Sequence, residues 1–78
     1  MITVRYFGGA AEAAGVESEQ CAPAGRLDEL TAALADAHPD LERVLPVCSF
    51  LVDEASAAAD TPLGDDALVD VLPPFAGG

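Results

Sequence analysis

A single stretch of the sequence has the periodicity of a surface helix. Leu27, Leu30 and Leu34 recur at spacings of three and four, which puts them on one side of a helix over residues 27–38. Pro39 ends this helix, because a residue that precedes proline is pushed out of the α region. A lone helix among strands can bury its apolar stripe only against a sheet. The sequence therefore predicts an α+β domain with one main helix.

The segments on both sides of the helix have the patterns of β-strands. Residues 2–7 alternate, with Ile2, Val4 and Tyr6 on the inner side, while Phe7 puts an aromatic ring on the side that should face water. The acidic residues of segment 16–22 are typical of an edge strand, because they discourage pairing with another chain. The predicted strands cover residues 2–7, 16–22, 47–52 and 67–72, with a weaker strand at 55–59 and short helical turns at 10–14 and 40–45.

The order of these elements limits the fold. Two strands, the helix and then further strands predict one mixed sheet of four to five strands with the helix packed across one face. The last strand, with Val69 and Val71 inward, is expected to return beside the first. This is the β-grasp, or ubiquitin-like, arrangement. In a chain of 78 residues it forms one domain over residues 1–72, followed by a flexible C-terminal tail over residues 73–78.

The charge of the chain narrows the class of its partners. Three basic residues, all of them arginine, face fourteen acidic ones, which gives a formal net charge of -11. Nucleic acid and anionic lipid are bound through Lys and Arg, so both are disfavoured as partners. A protein with a basic docking face is the expected macromolecular partner. Solubility alone is the alternative explanation of the charge.

The sequence predicts a cytoplasmic protein. Its first residues alternate and show neither the apolar run nor the cleavage pattern of a signal peptide. No run approaches the roughly 18–20 apolar residues that span a bilayer. In such a chain the two cysteines, Cys21 and Cys48, are expected to be reduced rather than bridged.

No group of residues has the pattern of a catalytic or metal site. A single histidine, with no cysteine or histidine at ligand spacing, gives no metal motif. His38 is expected at the helix end, where its side chain interacts with free carbonyl groups. Cys21 lies next to acidic residues, which oppose formation of a thiolate, and Cys48 fits a small core residue. Enzyme chemistry by this chain alone is therefore not expected.

The C-terminal segment is the chemically distinctive part of the sequence, and it reads Leu72-Pro73-Pro74-Phe75-Ala76-Gly77-Gly78. The two prolines stiffen the exit from the last strand, as polyproline-like segments do. Two glycines without Cβ atoms can pass through a narrow tunnel and adopt backbone angles closed to other residues. The carboxylate of Gly78 is a poor electrophile, but ATP can activate it as an acyl-adenylate that passes its carbonyl to sulfur or nitrogen. The tail therefore predicts a carrier or a tag whose catalysts lie in partner proteins.

The tail and the strands that lead to it resemble a known family. Val4-Arg5-Tyr6-Phe7 at the start, and Gly64-Asp65-Asp66 leading to Val69-Asp70-Val71-Leu72 and the tail, are similar to the small sulfur-carrier subunit of molybdopterin synthase. This is the MoaD branch of the MoaD/ThiS ubiquitin-like sulfur carriers. The similarity in layout covers essentially the whole chain. Diglycine is common to ubiquitin-like carriers, and the preceding Pro-Pro favours the molybdopterin branch.

The resemblance implies a role in sulfur transfer. An E1-like (MoeB-like) adenylyltransferase would use ATP to adenylate Gly78, and no permanently bound cofactor is implied. A sulfurtransferase or cysteine desulfurase would supply the sulfur that converts the carboxylate to a thiocarboxylate. The tail, residues 73–78, would then insert into a large (MoaE-like) subunit, in an expected heterotetramer. There the sulfur would pass to cyclic pyranopterin monophosphate to build the dithiolene of molybdopterin, with this chain as the non-catalytic subunit.

The resemblance also implies a docking surface. In that family the body docks through an apolar patch beside the tail, and the residues that correspond by position are Phe7, Leu63 and Leu72. A docking role would explain the aromatic ring of Phe7 on the outer side of its strand. The chain departs from its relatives in having no lysine and in having the bulky Phe75 before Ala-Gly-Gly. Any contact that a relative makes through lysine must therefore be absent here or made by arginine.

Three alternative functions are open at the level of sequence. The same sulfur chemistry could serve thiamine thiazole, cysteine, thio-nucleoside or thiosugar synthesis. A second alternative is a ubiquitin-like protein modifier attached to lysines of target proteins. A third is a plain binding module, in which an acidic β-grasp domain docks on a basic partner and the tail is inert.

Overall fold

The computed structural model describes residues 1–74 of the chain, which form five strands and two α-helices. The helices are α1 (Gly9–Ala14) and α2 (Leu27–Ala37), and short 3₁₀ turns lie at Pro39–Leu41 and Leu45–Val47. The strands are β1 (Ile2–Tyr6), β2 (Ser18–Cys21), β3 (Ser49–Val52), β4 (Ala55–Ser56) and β5 (Leu68–Leu72).

The five strands form one mixed sheet in the order β2-β1-β5-β3-β4. β5 is the middle strand, and it lies parallel to β1, with Val4 beside Val69 and Tyr6 beside Val71. The other three pairs, β1 with β2, β3 with β5 and β3 with β4, are antiparallel. The predicted β-grasp arrangement is therefore confirmed, including the return of the last strand beside the first.

The core lies between α2 and one face of the sheet. The predicted stripe of α2, Leu27, Leu30 and Leu34, is buried, and so are the alternate residues of the two central strands. Burial of side chains of this size stabilises the fold by about 1.5–3 kcal/mol each. The sheet residues that form this inner face include Ile2, Val4, Tyr6, Val52, Val69 and Val71. The face of the sheet opposite α2, which we call the open face, carries Thr3 and Arg5 of β1, Leu68, Asp70 and Leu72 of β5, and Leu51 of β3.

Several predicted segments differ from the observed ones: the strand predicted over 16–22 covers only Ser18–Cys21, the helical turn predicted over 40–45 is replaced by the two 3₁₀ turns, and two further strands are shortened by turns. The strand predicted over 47–52 begins at Ser49, because Pro46 lies near the start of a 3₁₀ turn and the N–H of Val47 donates to the carbonyl of Val44. Proline fixes φ near −65°, which suits such a turn. The weak strand predicted over 55–59 ends after two residues, where the N–H of Ala58 donates to Oγ1 of Thr61 and the chain turns.

The turn between β3 and β4 is built on left-handed backbone. Asp53 has a φ of 50° and Glu54 a φ of 71°, a region that favours glycine. The turn is tied to the start of β5, because the N–H of Asp53 donates to the carbonyl of Leu68 and Oδ1 of Asp53 accepts from the N–H of Leu68. These two hydrogen bonds hold Asp53 in the left-handed backbone conformation, which residues with a Cβ atom rarely adopt.

Candidate functional site at the base of the C-terminal tail

The tail leaves the body from the middle of the sheet. β5 ends at Leu72, at the same end of the sheet as the end of β1, because these two central strands are parallel. Pro73 is buried, whereas Pro74 is exposed. A Cβ atom on Gly8 would lie 3.4 Å from Cγ of Pro73, so the first proline packs against the turn that follows β1. Described residues thus anchor the base of the tail to the body.

The turn beneath Pro73 depends on glycine. Gly8 has a φ of 52° and a ψ of −129°, a combination essentially restricted to glycine. Its carbonyl accepts from the N–H groups of Ala11 and Glu12 and so begins α1. The local sequence Phe7-Gly8-Gly9 therefore reverses the chain directly beside the tail.

Most of the predicted tail lies outside the described residues. This applies to Phe75, Ala76, Gly77 and Gly78, so modification of Gly78 and insertion of residues 73–78 into partner active sites stay predictions. The flexibility predicted for this segment stays a prediction as well. The boundary predicted between residues 72 and 73 also stays a prediction.

Two of the three predicted docking residues lie together beside the tail. The N–H of Phe7 donates to the carbonyl of Val71 at 3.2 Å, which continues the pairing of β1 with β5 and brings Phe7 alongside Leu72. Phe7 is 39% exposed, and Leu72 is half-buried. Strand alternation turns both away from α2. An aromatic and a leucine side chain therefore flank the exit of the tail on the open face.

Leu63 lies elsewhere. It precedes β5, its N–H donates to the carbonyl of Gly25 near the start of α2, and its side chain packs against the core. The structure thus places it toward the beginning of β5, whereas Phe7 and Leu72 lie at the end of that strand. The docking role of all three residues stays a prediction, and only Phe7 and Leu72 form one patch.

The open face also contains an ion pair that the sequence did not reveal. Asp70 is 4% exposed and is the only buried charged residue among residues 1–74. Arg5 donates to it twice, from Nε to Oδ1 at 2.6 Å and from Nη2 to Oδ2 at 2.9 Å. The hydrogen bond to Asp70 raises the pKa of Arg5. The available signal was an aspartate within the apolar run 67–72, but its partner is 65 residues away and depends on the register of β1 and β5.

A cleft lies next to Phe7, where α1 approaches the end of β1. Its volume is about 640 Å³. Two exposed carboxylates, Glu12 and Glu17, line it together with Arg5 and Phe7. The cleft therefore presents charged groups of both signs beside the base of the tail.

The prediction for the His38 side chain is wrong. The backbone N–H of His38 caps α2 by donating to Leu34, but Nε2 of its ring lies 2.7 Å from Oε2 of Glu19 rather than at a helix carbonyl. The hydroxyl of Tyr6 donates to the same oxygen at 2.5 Å. The sequence hid this cluster because β2 and the end of α2 meet only in the folded chain. Burial first, and then the hydrogen bond to Glu19, raise the pKa of Tyr6.

Neither cysteine has the environment of a nucleophile. Burial, with a smaller contribution from Glu19, raises the pKa of the Cys21 thiol. Burial also raises the pKa of Cys48, whose Sγ donates to the carbonyl of Val44 at 3.2 Å. Both thiols are free and half-buried. A thiolate is the reactive form, so both environments oppose nucleophilic chemistry.

Two other classes of site are not found in the described part of the chain. Within residues 1–74 there is no group of three or more His, Cys, Asp or Glu side chains placed to hold a metal ion. In the same part of the chain no helix has the length and apolar character needed to cross a membrane.

The fold and the site define a class. A β-grasp sheet with one main helix, and a tail that leaves its middle strand beside an exposed aromatic residue, is the architecture of ubiquitin-like proteins. The ThiS family model matches residues 4–78, and the chain belongs to the ThiS family. It is a ubiquitin-like sulfur carrier of the ThiS/MoaD type. Small carriers of this type are generally non-catalytic.

Solved structures with the same fold include carriers from archaea and bacteria. SAMP1 from Haloferax volcanii is 25% identical, with a TM-score of 0.86 over 99% of this chain and 98% of that chain. Subunit 1 in the complex of subunits 1 and 2 of molybdopterin-converting factor from Helicobacter pylori is similar too. The match to that structure is 29% identical, with a TM-score of 0.72 over 99% of this chain and 97% of that chain.

A third structure agrees in fold. The putative molybdopterin converting factor subunit 1 from Pyrococcus furiosus is 24% identical, with a TM-score of 0.83 over 95% of this chain and 97% of that chain. Among curated proteins, no sequence match to this chain was found.

Proposed function

We propose that this chain is the small subunit of a molybdopterin synthase and carries sulfur as a thiocarboxylate on Gly78. An E1-like partner uses ATP to adenylate the Gly78 carboxylate, with release of pyrophosphate. The outer sulfur of a persulfide on a sulfurtransferase or cysteine desulfurase then displaces AMP and forms an acyl disulfide, and a thiol reduces its S–S bond to release the thiocarboxylate. The large subunit receives the loaded tail, and two such transfers, each of which returns Gly78 to a carboxylate, supply the two sulfurs of the dithiolene.

The observation that carries this proposal is the anchored tail on the middle strand. Pro73 packs against Gly8, and Pro74 is exposed, so the base of the tail lies beside Phe7 and Leu72. A partner that binds this patch would find the base of the tail at a constant place, which lowers part of the entropic cost of binding. The Helicobacter pylori structure, which is a complex of subunits 1 and 2, supports a large subunit as the partner.

The chemistry of the body supports a carrier rather than a catalyst. Both thiols have raised pKa values, and the Tyr6 hydroxyl has a raised pKa as well. None of these groups is poised to gain or lose a proton near neutral pH. We therefore assign adenylation, sulfur insertion and dithiolene formation to the partners, with ATP as their substrate and no resident cofactor in this chain. This chemistry fits the cytoplasm, where ATP and reduced sulfur donors are available.

The proposal is tested with a chain that already carries the thiocarboxylate, so that the test does not depend on the activating enzyme. The chain is prepared with a thiocarboxylate at Gly78 and mixed with the large synthase subunit from the same genome and the pterin precursor. We expect dithiolene formation that depends on both proteins. The same chain with an ordinary Gly78 carboxylate is the matched control. If the loaded chain supports thiazole formation by a thiazole synthase but no dithiolene formation, it serves the thiamine pathway instead.

A protein modifier is the second candidate function, and the likeness to SAMP1, the small archaeal modifier protein 1 of Haloferax volcanii, favours it. In that case Gly78 would be joined to lysine amino groups of other proteins. The chain has no lysine of its own, so it could be attached singly but could not build lysine-linked chains. Heavier conjugates in cells that express a tagged chain, absent when Gly78 is deleted, would support this function.

A further inference from the structure

The open face carries a guanidinium group in a fixed position. Arg5 is bonded side-on to the buried carboxylate of Asp70 through Nε and Nη2. Its Cζ atom lies 5.9 Å from the centre of the Phe7 ring, within the range of a cation–π contact. A carboxylate below and an aromatic ring beside it therefore position this side chain at the docking patch.

Three of the five N–H groups of Arg5 have no hydrogen-bond acceptor within residues 1–74. A guanidinium has five N–H groups. Asp70 accepts from two of them, and no other acceptor bonds Arg5 within residues 1–74. The side-on geometry uses one edge of the planar group, so the end-on edge, with one N–H on each terminal nitrogen, points away from Asp70. The Arg5 side chain is 45% exposed, so water solvates that edge in the free protein.

A partner that grips the tail must change this solvation. Arg5 neighbours Phe7, and Phe7 flanks the point where Pro73 and Pro74 leave the sheet. A protein that covers Phe7 and Leu72 therefore also removes water from the free edge of Arg5. Buried donors without acceptors are costly, and a hydrogen bond to a charged group is among the stronger ones. Two parallel N–H groups match the two oxygens of a carboxylate.

We propose that the free edge of Arg5 binds a carboxylate side chain of the partner protein that receives the tail, and that Asp70 is the positioning residue for this contact. The inference rests on the proposed function, because it takes its partner from there. It also specifies the partner surface: an Asp or Glu at the centre, apolar contacts for Phe7 and Leu72 around it, and basic groups opposite Glu12 and Glu17. Specificity arises because a partner without the central acceptor leaves Arg5 desolvated and unpaired.

The test compares two double variants of the full chain. Arg5→Met/Asp70→Leu removes the ion pair of the open face with apolar groups of similar shape, a replacement that folded proteins often tolerate. Arg26→Met/Asp28→Leu removes the ion pair at the start of α2 with the same change of charge. The dissociation constant is measured by calorimetry for the large synthase subunit and for the E1-like enzyme of the same genome. We expect Arg5→Met/Asp70→Leu to weaken binding about 10- to 100-fold, and the α2 pair to change it less than threefold.

If the double variant fails to fold, the same binding measurement is made with Arg5→Lys. This variant keeps the positive charge but loses the planar edge of the guanidinium. We expect it to weaken binding about fivefold or more at a temperature at which circular dichroism shows the variant to be folded. Binding within twofold of wild type, or tighter, by the folded double variant or by Arg5→Lys would overturn the inference and leave the proposed function standing. A wild-type chain that binds neither partner would overturn both. A wild-type dimer that Arg5→Met/Asp70→Leu dissociates would overturn the inference by assigning the face to a second copy.

Discussion

Asp70 shows how one residue can serve the fold and the surface together. Its carboxylate is buried on the open face, away from the core, and depends on Arg5 for both of its side-chain hydrogen bonds. A charge that has been removed from water must be paired, since an unpaired one costs several kcal/mol. The residue therefore links the first strand to the last at the point where the tail begins.

Asp28 is the matched comparison for Asp70 at the level of stability. Asp70→Ala should lower the free energy of unfolding clearly more than Asp28→Ala does, because it removes a buried carboxylate that accepts two hydrogen bonds from Arg5 and so links β1 to β5. Asp28→Ala, in the exposed pair with Arg26, should have a much smaller effect. Urea denaturation of both variants measures the difference. Equal losses for the two variants would show that the buried pair adds nothing to the fold.

Tyr6 provides a spectroscopic test of the cluster with Glu19 and His38. It is the only tyrosine, and its pKa is raised from an ordinary value of 10.0, mainly by burial. In the folded chain the Tyr6 hydroxyl should therefore stay protonated at pH 10 to 11, and tyrosinate absorbance should appear only on unfolding. Because the unfolded state loses the proton first, the free energy of unfolding should fall as pH rises above about 10. Ordinary titration near pH 10 in the folded chain would contradict this prediction.

At the scale of elements, sequence periodicity correctly predicted which side of a helix or strand is buried. The stripe of α2, the alternation of β1 and the inward Val69 and Val71 are found as expected, because each depends on neighbours within one element. The contact of His38 with Glu19 and the pair of Arg5 with Asp70 depend on how elements are placed, and local patterns do not contain that information. Val47 was predicted in a strand because it begins an apolar run, but it lies in a 3₁₀ turn that contains Pro46.

The β3–β4 turn should be easy to stabilise. Glu54 has a φ of 71°, which costs a residue with a Cβ atom about 1 kcal/mol relative to glycine. Glu54→Gly should therefore raise the free energy of unfolding by about 0.5–1 kcal/mol. Asp53→Gly is the control, because it removes the acceptor for the N–H of Leu68 and should give no gain. Thermal denaturation decides between them, and destabilisation by Glu54→Gly would show that its side chain has a stabilising contact.

The turn at the base of the tail should respond in the opposite way. Gly8→Ala should lower the free energy of unfolding by more than about 1 kcal/mol, since the left-handed backbone opposes a Cβ atom and the new methyl would touch Pro73. Gly9→Ala is the matched control, because Gly9 lies in α1 with open space around it and alanine favours a helix. Chemical denaturation of the two variants should give opposite signs. Similar values would mean that Gly8 is not required by its conformation.

At the scale of the whole molecule, the acidic surface and the anchored tail are complementary features. Two of the three arginines are bonded to aspartates within residues 1–74, Arg5 to Asp70 and Arg26 to Asp28. The carboxylates that remain give the body a negative field, which would speed the approach of a partner with a basic docking face.

The central claim, that Gly78 carries sulfur, is tested most directly by intact mass spectrometry. The chain is incubated with ATP, the E1-like enzyme of its own genome and a sulfur donor, beside a semisynthetic chain whose Gly78 ends in a carboxamide. We predict that the first chain alone gains the mass of one oxygen replaced by sulfur, and that fragmentation assigns the change to Gly78. An unchanged mass, with an activating enzyme that loads another carrier in the same assay, would contradict the sulfur-carrier account.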